Sequence, residues 1–306
     1  MIIAPGFIGI DVSKDHLDIF DGSARRIANT AEAIASWTDG IGRVRLVVFE
    51  ATGRYDRALQ RQLAAAGIDW ARVNPLHARA FARATGRLAK TDAIDAHLLA
   101  AMAQALTPVP QAPVDADRQE LADLHRRRAQ LVHCRQQERT RRHTASAAIV
   151  AGIDSHLDWL DQQIRSIDTS IAGLIERSSE LNHAAHLLRS IPGIGPVAAT
   201  ALLALMPELG HRSAKTIAAL AGLAPMNRDS GQSRGQRHIG GGRAEVRKAL
   251  YMAAVTASRS ASRFAVRYND LTARGKPPKL ALIATARKLI ITANAMIKTN
   301  HPFKAP

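Results

Sequence analysis

Cysteine is nearly absent, with Cys134 alone among 306 residues. One thiol can neither close an internal disulfide nor build a Cys-rich zinc site, and it suits a reducing compartment. The opening Met1-Ile-Ile-Ala-Pro-Gly-Phe7 lacks the basic start and long apolar stretch of a signal peptide. A long uncharged run, Ser190 to Pro207, has Pro192, Gly193, Gly195 and Pro196 near its start, leaving too short a helix to cross a bilayer. A cytoplasmic chain without a membrane partner is expected. The histidines have no HExxH spacing, and His183 with His186 is their only close pair, so no histidine metal site is expected.

Acidic residues are scarce in one part only. Basic and acidic residues number 13 and 11 over 1–110, 10 and 11 over 111–185, and 19 and 4 over 186–306. Nearly all of the net +16 is therefore C-terminal, as expected of a chain that holds a nucleic-acid backbone mainly with one portion. With 46% hydrophobic and 22% charged residues the chain has a globular composition, which excludes disordered and collagen-like classes.

Over 1–110 the pattern is α/β. Phe7-Ile-Gly-Ile-Asp11-Val and Leu17-Asp-Ile-Phe20 suggest a hairpin, and Val44-Arg-Leu-Val-Val-Phe49 is a buried strand followed by a helix over about 56–66. Ile68 to Val73 makes another strand, and Ala-rich helical segments run to about Leu106. Asp11 and Glu50 fall at strand ends, whereas Asp92 and Asp95 share one helical face. Four carboxylates so disposed suit hard Mg²⁺ or Mn²⁺ and a two-metal phosphodiester site. The alternative makes Asp92 a helix cap and Asp95 a solvated residue.

The segment 111–185 reads as two long helices. One runs from about Asp117 to Ala148. In the second, Ile153, Leu157, Leu160, Ile164, Ile167, Ile171 and Leu174 recur at coiled-coil spacing. In the first, Leu121, Leu124 and Leu131 alternate with Arg128, Arg135 and Arg142 at candidate seam positions, a weak seam. The second helix pairs either with the first as an antiparallel hairpin or with another copy, and some self-association is expected.

Over 186–306, Ser190-Ile-Pro-Gly193-Ile-Gly195-Pro reads as a tight turn between helices, either a helix-hairpin-helix element approaching a phosphate or a plain corner. The stretch from Gly222 to Arg243 is too glycine-rich for a helix. Its Arg228, Arg234, Arg237 and Arg243 suggest an ordered phosphate-wrapping loop. Ser230 or Ser233 is a nucleophile or a turn residue, a choice that spacing alone leaves open.

Taken in order, Gly9-Ile-Asp11-Val-Ser-Lys, Glu50-Ala-Thr-Gly53, Lys90-Thr-Asp92-Ala-Ile-Asp95-Ala, Ser190-Ile-Pro-Gly-Ile-Gly195, Ala221-Gly-Leu-Ala-Pro225, Asp229-Ser-Gly231 and Arg247-Lys-Ala-Leu-Tyr-Met252 resemble the DEDD-type insertion-sequence transposases. That family includes the RNA-guided bridge recombinases and the Piv-type DNA invertases. The resemblance implies three parts: a RuvC-like domain of the RNase H fold over 1–110, coiled-coil helices over 111–185, and a mainly helical domain over 186–306 with a helix-hairpin-helix element and a catalytic serine. It implies Asp11, Glu50, Asp92 and Asp95 as the acidic tetrad, Ser230 as a nucleophile forming a 5′-phosphoserine bond, and Mg²⁺ or Mn²⁺ as cofactor. Its partners would be donor and target DNA, a noncoding bridge RNA, and further copies of the chain, a dimer assembling to a tetramer. Arg228, Arg234, Arg237, Arg243, Gly193 and Gly195 are the expected nucleic-acid contacts. A water-using RuvC-like nuclease is the competing enzyme. An architectural DNA-binding protein leaves the carboxylates without a purpose, and a sugar-kinase-like ATPase lacks a second phosphate-binding glycine motif.

Overall fold

The computed structural model describes residues 2–51, 53, 55–86, 92–111, 115–226, 229–230, 233–234 and 238–304, with the backbone alone at 92–94, 229–230 and 233–234. The chain divides into two compact units, 1–113 and 114–306.

Alternating apolar residues build the sheet of the first unit. Strands β1 (Phe7–Val12), β2 (His16–Phe20) and β3 (Ala24–Ala28) form an antiparallel meander, with helix α1 (Ala31–Gly40) after it. Strands β4 (Leu46–Glu50) and β5 (Trp70–Val73) add in parallel beside β1, giving the order β3-β2-β1-β4-β5. Three further helices, α2 (Arg57–Ala65), α3 (Pro75–Ala84) and α4 (Asp92–Leu106), complete the unit. The sequence reading found the β1–β2 hairpin, β4 and β5 but passed over β3, whose Arg25 and Arg26 break the apolar pattern of an edge strand.

Because side chains alternate across a strand, each sheet face has its own core. Ile8, Ile10, Val47 and Phe49 pack with Ile34 and Trp37 of α1 and with Leu59 and Leu63 of α2. Leu46, Val48, Ala71 and Val73 pack on the other side with Ala78 of α3 and with Leu99, Met102 and Ala103 of α4. Phe49 stacks on Trp70, ring centroids 5.6 Å apart.

The second unit is helical: α5 (Ala116–Arg142), α6 (Ala147–Arg177), α7 (Ser179–Arg189), α8 (Pro196–Leu205), α9 (Ala214–Leu220), α10 (Ala244–Ala257), α11 (Arg263–Ala273) and α12 (Pro278–Thr299). Among the described residues four two-residue strands interrupt it: β6 (Pro225–Met226), β7 (Asp229–Ser230), β8 (Ser233–Arg234) and β9 (His238–Ile239). The first long helix stops at Arg142, short of the expected Ala148, since the chain turns through residues 143–146 and restarts with Ser146 as the N-cap of α6. The expected separate segment 111–185 is not a separate body: Leu121, Ile171 and Leu174 join Leu188, Leu202, Leu250, Phe264 and Leu289 in one core.

The α6 heptads find their partner inside the chain. Leu131 of α5 packs with Leu160 and Ile164 of α6. The arginines that weaken the α5 seam form its ion pairs: Arg128 with Asp168 (2.5 Å), Arg135 with Asp161 (2.6 Å) and Arg142 with Asp154 (2.5 Å). Each pair lies one heptad on along α5 and one heptad back along α6, which fixes an antiparallel register. Among the described residues one helix, α12, is long and apolar enough to cross a membrane by length and composition. It also carries Lys279, Arg287, Lys288 and Lys298, and Leu289, Ile290 and Ala293 are wholly buried in the core of the unit.

Candidate functional site

Asp11 and Glu50 are brought to one corner by strand register. The parallel β1–β4 ladder pairs Gly9 with Val48 and Ile10 with Phe49, so its next step sets Asp11 beside Glu50. Asp11 has the parity of Gly9, and Glu50 that of Leu46 and Val48; both therefore belong to the face covered by α4.

Gly9 decides how close α4 comes. A Cβ there would stand 2.0 Å from the Ala96 carbonyl oxygen and 2.3 Å from the Ala100 nitrogen, so helix backbone rests directly on the strand. At the other end of the helix, Gln104 Oε1 accepts from the Ala4 nitrogen at 2.6 Å. Helix α4 thus runs antiparallel to β1, and its first turn, with Asp92 and Asp95, lies toward the Asp11 end. Asp11, Glu50 and Asp95 are half-buried and each has an interaction partner. Asp92 is the first residue of α4, and its side chain is outside the description. Among the described residues no three His, Cys, Asp or Glu side chains form a metal-holding group. The donor set at this corner is nonetheless all carboxylate oxygen, which suits a hard divalent cation.

Two neighbours escaped the sequence reading. Asp18 is the cross-strand partner of Asp11, and it is buried. Like charges directly opposite repel, and Arg26 offsets this by forking onto Asp18 at 2.8 and 3.0 Å. Asn29, just beyond β3, donates through Nδ2 to the carbonyls of Ser13 and Tyr55, both at 2.8 Å. One amide so ties the loop after Asp11 to the loop after Glu50. Nothing local in the sequence marks Asn29, because its partners are backbone atoms 16 and 26 residues away. Below that loop the buried Asp56 lies 2.7 Å from Arg72 Nε; burial raises its pKa while Arg72 opposes the rise.

The second candidate region is a hairpin where a loop was expected. Pro225 pairs with Ile239 and Met226 with His238; further out, Asp229 pairs with Arg234 and Ser230 with Ser233. Its base is closed by glycines: a Cβ on Gly242 would meet the Gly222 nitrogen at 2.3 Å, and both residues have positive φ. Arg247 Nη1 donates to the Gly241 carbonyl at 2.7 Å. Ser230 and Arg234 are placed here by their backbones, whereas Arg228 and Arg237 lie outside the described residues.

Arg243, one of the expected nucleic-acid contacts, forms an ion pair within the chain. Its two Nη atoms fork onto Glu208, both at 2.7 Å. Burial works to raise the Glu208 pKa, but the Arg243 hydrogen bond and charge prevail and hold it below the ordinary value. Gly193 is likewise a packing residue, since a Cβ there would lie 2.4 Å from the Ala253 carbonyl of α10. Gly195 is exposed, with open space where a Cβ would be, at the N-cap of α8.

Comparison with known proteins bears on both regions. A DEDD transposase model of the IS110 type matches residues 8–145, and the model of the "Transposase IS116/IS110/IS902 family" matches residues 185–269. A "Pilin gene-inverting protein" of Moraxella bovis is 35% identical over 266 residues, covering 84% of this chain and 81% of that protein. The chain belongs to this family of transposases.

The transposase is thus a DNA recombinase, related both to insertion-element proteins and to DNA inverters. An "Insertion element IS110 uncharacterized 43.6 kDa protein" of Streptomyces coelicolor is 28% identical over 152 residues, 49% of this chain and 36% of that protein. The two family models cover separate stretches of the transposase. One holds Asp11, Glu50, Asp92 and Asp95, and the other holds the Ser230 hairpin.

Proposed function

We propose that the transposase cuts and rejoins DNA through a covalent serine intermediate, with the RuvC-like carboxylate corner as the metal site and Ser230 as the nucleophile. The observation that carries this reading is the convergence of Asp11, Glu50 and the first turn of α4 at one end of one sheet face. Asp11, Glu50, Asp92 and Asp95 would hold Mg²⁺ or Mn²⁺, which neutralises phosphate charge when bound. The Ser230 Oγ loses its proton and bonds to the scissile phosphorus. The 3′ oxygen leaves as a hydroxyl, and a 5′-phosphoserine remains. Rejoining reverses this: a 3′-hydroxyl attacks, and the phosphorus–Oγ bond breaks.

A noncoding bridge RNA encoded beside the element would select the DNA by pairing, so the protein itself need read no bases. Copies of the chain would assemble as a dimer and then a tetramer. Since α5 occupies the α6 seam, that assembly would use other surfaces.

The test combines purified protein, Mg²⁺, RNA from the flanking noncoding region and labelled junction and target DNA, resolved on a denaturing gel. A protein-linked DNA band that needs the RNA and is lost in Ser230→Ala and Asp92→Asn is expected. Free cut ends that persist unchanged in Ser230→Ala would replace serine by water as nucleophile. A linked band formed equally without RNA would remove the guide.

A further inference from the structure

We infer that a recess between the start of α11, the second half of α12 and residues 301–304 is a binding site for a nucleic-acid phosphodiester. This recess, of about 490 Å³, is ringed by Arg263, Lys288, His301 and Lys304, and no carboxylate lines it. Thr292 and Thr299 also line it, the Thr299 hydroxyl donating to the Ala295 carbonyl at 2.9 Å. The rest of the lining, Ile291, Ala295, Met296, Pro302 and Phe303, is apolar. Three cations with no carboxylate among them favour an anion, and a cavity of this size accommodates a sugar-phosphate unit.

The recess is built rather than incidental. Phe303 donates its backbone N–H to Ser190 Oγ at 3.0 Å and stacks on the buried Phe264, with centroids 5.7 Å apart. Asn300, in the left-handed conformation, is tied by its side chain to His183. These contacts pin the 300–304 segment against the core, so that Lys304 becomes part of a wall. Arg263 lies 4.3 Å over the Phe303 ring, which orients its planar fork before any ligand arrives. Covered in this way, Phe303 is no platform for a base, and the site fits backbone rather than sequence.

Charge accounting separates this surface from the other arginine-rich one. On α5 the arginines at 128, 135 and 142 are each neutralised by an aspartate of α6. From 258 to 304 the sequence has ten Lys and Arg against Asp270 alone. Among the described residues no ion pair involves Arg263, Lys288 or Lys304.

The site is independent of Ser230 chemistry, because binding is measured without Mg²⁺ and without cleavage. Fluorescence anisotropy of the full chain would use equal-length single-stranded RNA, single-stranded DNA and duplex DNA of arbitrary sequence over a salt series. The double variant Lys288→Glu/Lys304→Glu should weaken at least one probe about tenfold and lower its salt slope by about one to two. Both lysines are exposed, and unchanged circular dichroism checks the fold; Lys288→Gln alone should lower the slope by about 0.7–0.9. Loss for RNA alone assigns the site to RNA, loss for duplex alone assigns it to DNA, and loss for all three assigns it to backbone of either kind. No change with any probe overturns the inference. An equal loss in Lys215→Glu, an exposed cation on α9, overturns it as well.

Discussion

Gly9 of β1 and Ala96 of α4 are in backbone contact, so close that a Cβ on the strand would overlap the helix carbonyl. Gly9→Ala should therefore push α4 away from the Asp11 end of the sheet. Neither partner is a flexible side-chain tip, so the cost is that of overpacking, about 1–3 kcal/mol. Thermal unfolding should show the loss, and DNA strand cleavage should fall with it. A variant of unchanged stability and activity would mean that this approach is not what sets the corner.

Asn29→Ala removes both hydrogen bonds between the loops after Asp11 and Glu50. Both bonds end on backbone carbonyls, so the expected effect is on the spacing of the two loops and of the carboxylates before them. Mn²⁺ titration followed by electron paramagnetic resonance should show weaker binding by about tenfold, the size common for outer-shell changes at metal sites. Wild-type Mn²⁺ affinity in a folded Asn29→Ala protein would refute this positioning role.

Arg135 and Asp161 lie in the middle of the α5–α6 ladder. Both are partly exposed, so a double-mutant cycle with alanine should give a coupling of only about 0.2–1 kcal/mol, reduced by salt. The α5 arginines were legible in the sequence as blemishes in an apolar seam. Their partners Asp154, Asp161 and Asp168 have the same heptad spacing, a signal that the sequence reading passed over. What the one-dimensional pattern withheld was the partner, the first helix or another copy; the ion pairs set the two series against each other within one chain.

His125 is buried between α5 and its neighbours, and burial holds its pKa below 6.5. Glu245 works to raise the value, whereas Arg128 and Arg126 lower it further. The unfolded chain therefore binds the proton more readily, so this contribution to stability is present above pH 6.5 and is lost as pH falls toward the lower folded value. Urea unfolding at pH 7.5 and below 6.5 should show the decline, and His125→Gln should flatten it. An identical pH slope in the variant would assign the decline to other groups.

The sequence by itself determined the sheet-forming strands β1, β2, β4 and β5, the coiled-coil heptads, the concentration of positive charge after residue 186, and the motifs that carry the family resemblance. These are properties of neighbours along the chain, set by side-chain period and composition. Tertiary structure decided what depends on approach between distant segments. It set Asp18 across from Asp11, joined two loops through Asn29, paired Pro225–Met226 with His238–Ile239 beside the close approach of Gly222 and Gly242, and turned Arg243 onto Glu208. A residue's type shows which bonds it can make; the packing of backbone against backbone decides which partner stands within reach.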